Sequence, residues 1–194
     1  MSNLLRLAIL SSGNGSNLQS IIEQIHCKKT AQISVIISDK PSKSLQRSIT
    51  AGIPCVFLPF NALADSRSEY DVFLKKQIAL FEPHLIVLSG FMRVLSAPFV
   101  SAFKRKIINI HPSLLPKYKG LNTHQRVFDA GDRLHGTTVH YVDETLDGGQ
   151  IIQQRTIDIS GMQSPRHIEA SVKSVENIFY PEVIKDIIKN YSSS

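Results

Sequence analysis

Hydrophobic positions along this chain follow two rhythms. Short, nearly all-apolar runs occur at LLRLAIL (4–10), ISVIIS (33–38), PCVFL (54–58), HLIVLSG (84–90) and KIINI (106–110). Runs of this length, bounded by Gly, Ser and Pro, predict buried strands. Between them the spacing turns helical. Leu18, Ile21, Ile22 and Ile25 fall at i, i+3, i+4 and i+7, with Ser16 and Gln19 placed as a capping box at the helix start. A weaker helical stretch covers 42–51. A stronger one covers 66–81, opened by Ser66 and Glu69 as a second capping box, with Tyr70, Phe73, Leu74, Ile78 and Phe81 on one face. Residues 91–103 also read as helix, broken near Pro98.

Beyond residue 130 the pattern changes. TTVHYV (137–142) and QIIQQRTIDI (150–159) alternate, as antiparallel or partly exposed strands do. A last helix begins at Ser164-Pro165 with a core face of Ile168, Val172, Val175 and Phe179, and Pro181 is expected to kink or split it. Apolar strands alternating with amphipathic helices imply a mainly parallel sheet covered on both faces. The expectation is a doubly wound, Rossmann-like α/β fold over residues 1–194 as one domain, with an antiparallel addition toward the C-terminal half.

Composition narrows the function classes. Hydrophobic content of 42% and charged content of 20% are ordinary globular values. Arg6 interrupts the N-terminal apolar run, which argues against a signal peptide, and no run approaches a membrane span of ~20 residues. Two cysteines without CxxC spacing read as free thiols of a cytoplasmic protein. The net charge of +6 has its densest run at KRK (104–106), without interleaved aromatics. A solvated helix end explains that run better than nucleic acid does.

Two stretches carry candidate chemistry. SGNGSN (12–17) lies between a strand and a helix N-terminus, where backbone N–H groups and the positive helix end favour a phosphate. It is neither GxGxxG nor a P-loop, which argues against a dinucleotide and ATP. A tight turn needing glycine is the plainer reading of the same residues. The second stretch is IINIHPS (107–113). Asn109 and His111 are two apart on one strand face, and Pro112 ends the strand after them. The acidic loop DETLDGG (143–149) offers Asp147 as the carboxylate to orient His111 and favour its charged form. Asn109 would then supply an amide N–H to a developing oxyanion. The histidines show no HExxH or Cys/His cluster, so no metal is expected. No GxSxG elbow supports a serine nucleophile.

SGNGSNLQSII, AGIP, LSGFMRVLS, NIHPSLLPKYKG, HGTTVHYVDETLDGGQII and VENIFYP occur in this order. Together they resemble the folate-dependent phosphoribosylglycinamide formyltransferases from residue 4 to about 188. The resemblance implies formyl transfer from 10-formyltetrahydrofolate to glycinamide ribonucleotide, without a metal or a covalent enzyme intermediate. It implies Asn109, His111 and Asp147 as catalytic residues. It implies Gly15, Ser16 and Asn17, with Lys173 and Glu176, at the ribonucleotide. On the folate side it implies Arg67, Met92, Arg93, Val94 and Leu95, together with Asn109, His140 and Asp143. Lys119, and THQR in place of a THR order, depart from the family pattern. A formyl-folate hydrolase would carry an extra N-terminal domain, and a methionyl-tRNA formyltransferase a C-terminal tRNA-binding one. A non-catalytic folate-binding module would need neither phosphate loop nor triad. Small-molecule substrates, with a monomer or homodimer acting on them, complete the expectation.

Overall fold

The computed structural model describes residues 4–192. Its strands are β1 (Arg6–Leu10), β2 (Gln32–Ser38), β3 (Cys55–Phe57), β4 (Leu85–Leu88), β5 (Ile107–His111), β6 (Leu134–Tyr141) and β7 (Ile151–Asp158). They form one seven-stranded sheet in the order β3-β2-β1-β4-β5-β6-β7. The first five are mutually parallel, and β6 and β7 add on antiparallel. The mixed sheet expected from the two rhythms is therefore present. Strand order reverses between β1 and β4, which opens a crevice beyond their C-terminal ends.

The two-residue period divides the core between the faces of the sheet. Leu7, Ile9, Leu85, Val87, Ile108 and Ile110 pack on one face against helix α1 (Ser16–Ile21), its π-helical continuation (Ile22–His26) and the long helix α7 (Pro165–Ser192). Ala8, Leu10, Ile86, Leu88 and Ile107 pack on the other, under Tyr70, Leu74 and Ile78. Those three belong to α4 (Arg67–Ala79), and α2 (Lys43–Thr50), α3 (Phe60–Leu63), α5 (Ala97–Ala102) and α6 (Thr123–Asp129) complete the helices.

Several local expectations give way. At α1 the N-cap is Gly15 in the left-handed region, φ 68°, with no side-chain cap, so Ser16 and Gln19 form no capping box. At α4 the Ser66 side chain does accept from the Glu69 N–H at 3.2 Å, while Glu69 reaches back to the Asp65 N–H. Phe73 leaves the expected core face and is exposed, whereas Asp71 is buried. The buried carboxylate accepts from the Ser96 N–H at 2.6 Å and so fixes the entry to α5. Residues 91–96 are accordingly loop, not helix.

Pro181 neither splits nor ends α7, which runs through 28 residues. A proline there removes the N–H that would serve the carbonyl four residues back. That carbonyl, Asn177 O, instead accepts from Gln24 Nε2 of the π-helical turn at 3.3 Å. Tertiary contact repairs the local defect.

Candidate active site

Three segments meet at the C-terminal edge of adjacent strands: 11–17 after β1, 89–95 after β4, and Asn109–His111 at the end of β5. Ser12 ties the first two, since its N–H donates to Gly90 O and its hydroxyl accepts from the Met92 N–H. Asn109 lies opposite His140 and His111 opposite Thr138 in the antiparallel pairing of β5 with β6.

The two histidines of this cluster meet different partners. His140 Nδ1 faces the Tyr141 carbonyl at 2.9 Å and therefore carries the proton, leaving Nε2 to accept from Asn109 Nδ2 at 3.3 Å. Burial holds its pKa below the ordinary histidine value, against the pull of the Tyr141 carbonyl and Asp147. His140 is thus a neutral acceptor that aims the Asn109 amide. His111 meets acceptors at both nitrogens, Asp147 Oδ2 at 3.3 Å from Nδ1 and the Tyr118 carbonyl at 3.0 Å from Nε2. Neither partner can donate; the Nδ1 contact is an ion-pair approach, and the Nε2 contact is a hydrogen bond when that nitrogen carries a proton. Asp147 in turn is fixed by the Gly120 N–H at 2.8 Å, and its own backbone sits in the left-handed region.

At the first segment, Gly15 opens the α1 N-terminus, whose first N–H groups lack intrahelical partners. Arg47 adds a positive charge beside this loop, donating to Asn14 O at 3.1 Å and to Gln19 Oε1 at 2.8 Å. Between α3, the start of α4 and the 92–94 loop lies a cavity of about 360 Å³ lined by Phe60, Arg67, Tyr70, Asp71, Met92, Arg93 and Val94.

Residues 5–184 match the family model described as formyl transferase. The chain belongs to the formyl transferase family. It is similar to the phosphoribosylglycinamide formyltransferase of Escherichia coli, 42% identical over 182 residues, covering 93% of this chain and 85% of that protein. The Haemophilus influenzae protein of the same name is 44% identical over 183 residues, with the same coverage of 93% and 85%. A solved phosphoribosylglycinamide formyltransferase from Coxiella burnetii superposes with a TM-score of 0.91 at 41% identity, covering 96% of this chain and 88% of that one.

Within this family member the residues singled out from sequence divide into groups. Asn109, His111, Asp147 and His140 form one hydrogen-bonded and charged cluster. Arg67, Met92, Arg93 and Val94 share the cavity wall, whereas Leu95 packs into the core beneath it. The Arg93 guanidinium stacks 3.6 Å from the Phe60 ring centroid and lies 3.7 Å from Asp39. Asp143 accepts from the N–H and hydroxyl of Thr145 and so shapes its own loop. Asn17 reaches Glu176 at 3.1 Å, and Lys173 is exposed one turn away on α7. The sequence reading missed Tyr118 and Gly120, which contribute through backbone atoms, and Arg47, which a weakly patterned helix delivers to the loop.

Proposed function

We propose that the protein transfers the formyl group of 10-formyltetrahydrofolate to the amine of glycinamide ribonucleotide, giving formylglycinamide ribonucleotide and tetrahydrofolate in purine synthesis. The observation that carries this reading is His111 held between two acceptors, with the Asn109 amide aimed beside it. Acyl transfer develops negative charge on the formyl oxygen, and donors fixed in advance stabilise it.

The amine nitrogen attacks the formyl carbon, and a tetrahedral intermediate forms. Asn109 supplies a neutral N–H and His111 a charged one to its oxyanion. His111 Nε2 faces the Tyr118 carbonyl and would exchange that acceptor for the oxyanion. His111 then passes a proton, with water, from the incoming amine to the leaving folate nitrogen as the old C–N bond breaks. Asp147 keeps the ring oriented and charged. The ribonucleotide phosphate is assigned to Gly15, Ser16 and Asn17 at the α1 N-terminus, next to Arg47, with Lys173 and Glu176 near the ribose side. The folate is assigned to the cavity of Arg67, Met92, Arg93 and Val94, bordered by the 140–147 loop.

Formyl transfer measured with and without glycinamide ribonucleotide tests the reading. Tetrahydrofolate should appear only when the ribonucleotide is present. Equal release of formate without it would make water the acceptor and the protein a hydrolase.

A further inference from the structure

Thr137 is fully buried in β6 on the face covered by α7. Its Oγ1 lies 3.0 Å from the His111 carbonyl oxygen and 3.2 Å from Glu176 Oε1. Glu176 Oε2 receives the Asn17 side-chain N–H at 3.1 Å. One hydroxyl has one proton, and a carbonyl and an ionised carboxylate both only accept. One proton shared between the two acceptors would leave both bonds bent and weak; each contact is a full hydrogen bond only if the second proton comes from the Glu176 carboxyl.

We propose that Thr137 is a positioning residue for His111: neutral Glu176 donates to the Thr137 hydroxyl, which donates to the His111 carbonyl, joining the loop at Asn17 to the catalytic strand. The surroundings agree. Glu176 is only 8% exposed. Burial is the largest influence on its carboxyl and pushes it up; the Asn17 N–H and the charge of Lys173 pull it down, as would a Thr137 hydroxyl donating to a carboxylate, the polarity opposite to the one proposed. The other titratable group facing it, Tyr180, commits its hydroxyl to the Leu88 and Ile108 carbonyls and offers Glu176 no proton. At the far end of the chain Asn17 Oδ1 is buried without a partner. A ligand that engages Asn17 or Glu176 would act on the backbone of His111 through two side chains.

The proposal uses the formyl-transfer reading only for the identity of the ligand, so its test has an arm without catalysis. Carbon-13 NMR of the protein labelled at glutamate carboxyls should show one group still protonated at neutral pH, absent in Glu176→Gln. In Thr137→Val that group should titrate at lower pH, because the neutral acid loses its acceptor; in Thr137→Ser it should stay. A titration that moves to higher pH in Thr137→Val would mean that the hydroxyl donates to a carboxylate, and would overturn the proposal. So would a Glu176 already ionised at neutral pH in the wild type, a result that needs no variant beyond the assignment. In the kinetic arm, Thr137→Val should lower kcat about three- to tenfold, the scale of one neutral hydrogen bond, leave the folate KM alone, and be restored by Thr137→Ser. A raised KM with unchanged kcat would overturn the positioning role. Loss of formyl transfer in the wild type would instead count against the proposed reaction.

Discussion

The two ends of the crevice are built by opposite means. At His111 the polar groups are held from several sides: Asp147 by the Gly120 N–H, Asn109 by His140, and His111 by Asp147 and Tyr118. His111 and His140 are themselves buried. At the cavity end Met92 is 66% exposed and Val94 50%, with Arg67 exposed beside them. Charge that develops in a transition state needs dipoles already in place. A broad ligand face needs mostly apolar area, which flexible side chains such as Met can fit. On the proposed assignment the contrast separates catalysis from donor binding, and each should be breakable alone.

The largest effect should come from the rigid end. His111→Ala and Asp147→Asn should each lower kcat by ~100- to 1,000-fold, the usual loss for an oxyanion donor, while folate affinity stays near that of the wild type. Steady-state kinetics with equilibrium folate binding check this. Near-normal kcat with only a raised KM would show that the His111 cluster binds and does not catalyse.

Gly15→Val should come next. It strikes the ribonucleotide end and should spare the folate. A Cβ on Gly15, whose φ is +68°, would lie 2.8 Å from Ser44 Oγ and 3.3 Å from Arg47 Cδ. Ser44 is itself buried and bonded to Ser11 and to Gly13 O. The added side chain therefore distorts the loop against α2 as well as crowding a phosphate, and a β-branched residue is poorly suited to positive φ. Ribonucleotide KM should rise at least tenfold with folate binding preserved in a protein that remains folded by circular dichroism. Collapse of folate binding instead would mean that the two substrates are assigned to the wrong ends.

Met92→Ala should be milder. Removing an apolar side chain that is two-thirds exposed before binding should raise folate KM by no more than about tenfold, within the scale of burying one such group. The kcat should hold. A kcat loss as large as that of Asp147→Asn would erase the distinction between the ends.

How much of this was legible in sequence depends on where each contribution is carried. The apolar strands follow from short, nearly all-apolar runs, and the pair Asn109 and His111 from two-residue spacing and a proline that ends the strand. Side chains carry that information. The Tyr118 carbonyl and Gly120 N–H were illegible because any residue supplies them. Only the tertiary path of the 113–122 loop brings them to His111 and Asp147, with Tyr118 and Asn122 at positive φ. Ser16 and Gln19 matched a capping pattern, but Gly15 takes the left-handed conformation and displaces the cap. The core placement of Phe73, where Asp71 is buried nearby instead, and the split at Pro181 failed for a related reason. Helical spacing reports which face is apolar, whereas Ser96 and Gln24 supply the polar partners from elsewhere in the fold.

The smallest prediction probes what supports the Tyr118 carbonyl. The Tyr118 ring meets His135 edge-on at 6.3 Å, and its hydroxyl donates to Asp132 at 2.9 Å. His135 Nε2 lies 3.3 Å from His124 Nδ1, a contact that one proton satisfies and two would turn repulsive. Burial first, and then His124, lower the His135 pKa from 6.5 to about 4. A base whose folded pKa is depressed contributes stability above its unfolded value, and that stability is lost as pH falls through the folded one. The loss should therefore run from pH 6.5 down to about 4. In His135→Asn, which cannot titrate there, Tm should start lower at neutral pH and fall less steeply on acidification. Thermal melts of both proteins across this window decide it. A gap in Tm that stays constant would remove His135 from the acid response and leave Asp132 and Arg126, which packs its guanidinium 5.4 Å from the same ring, as the supports of Tyr118.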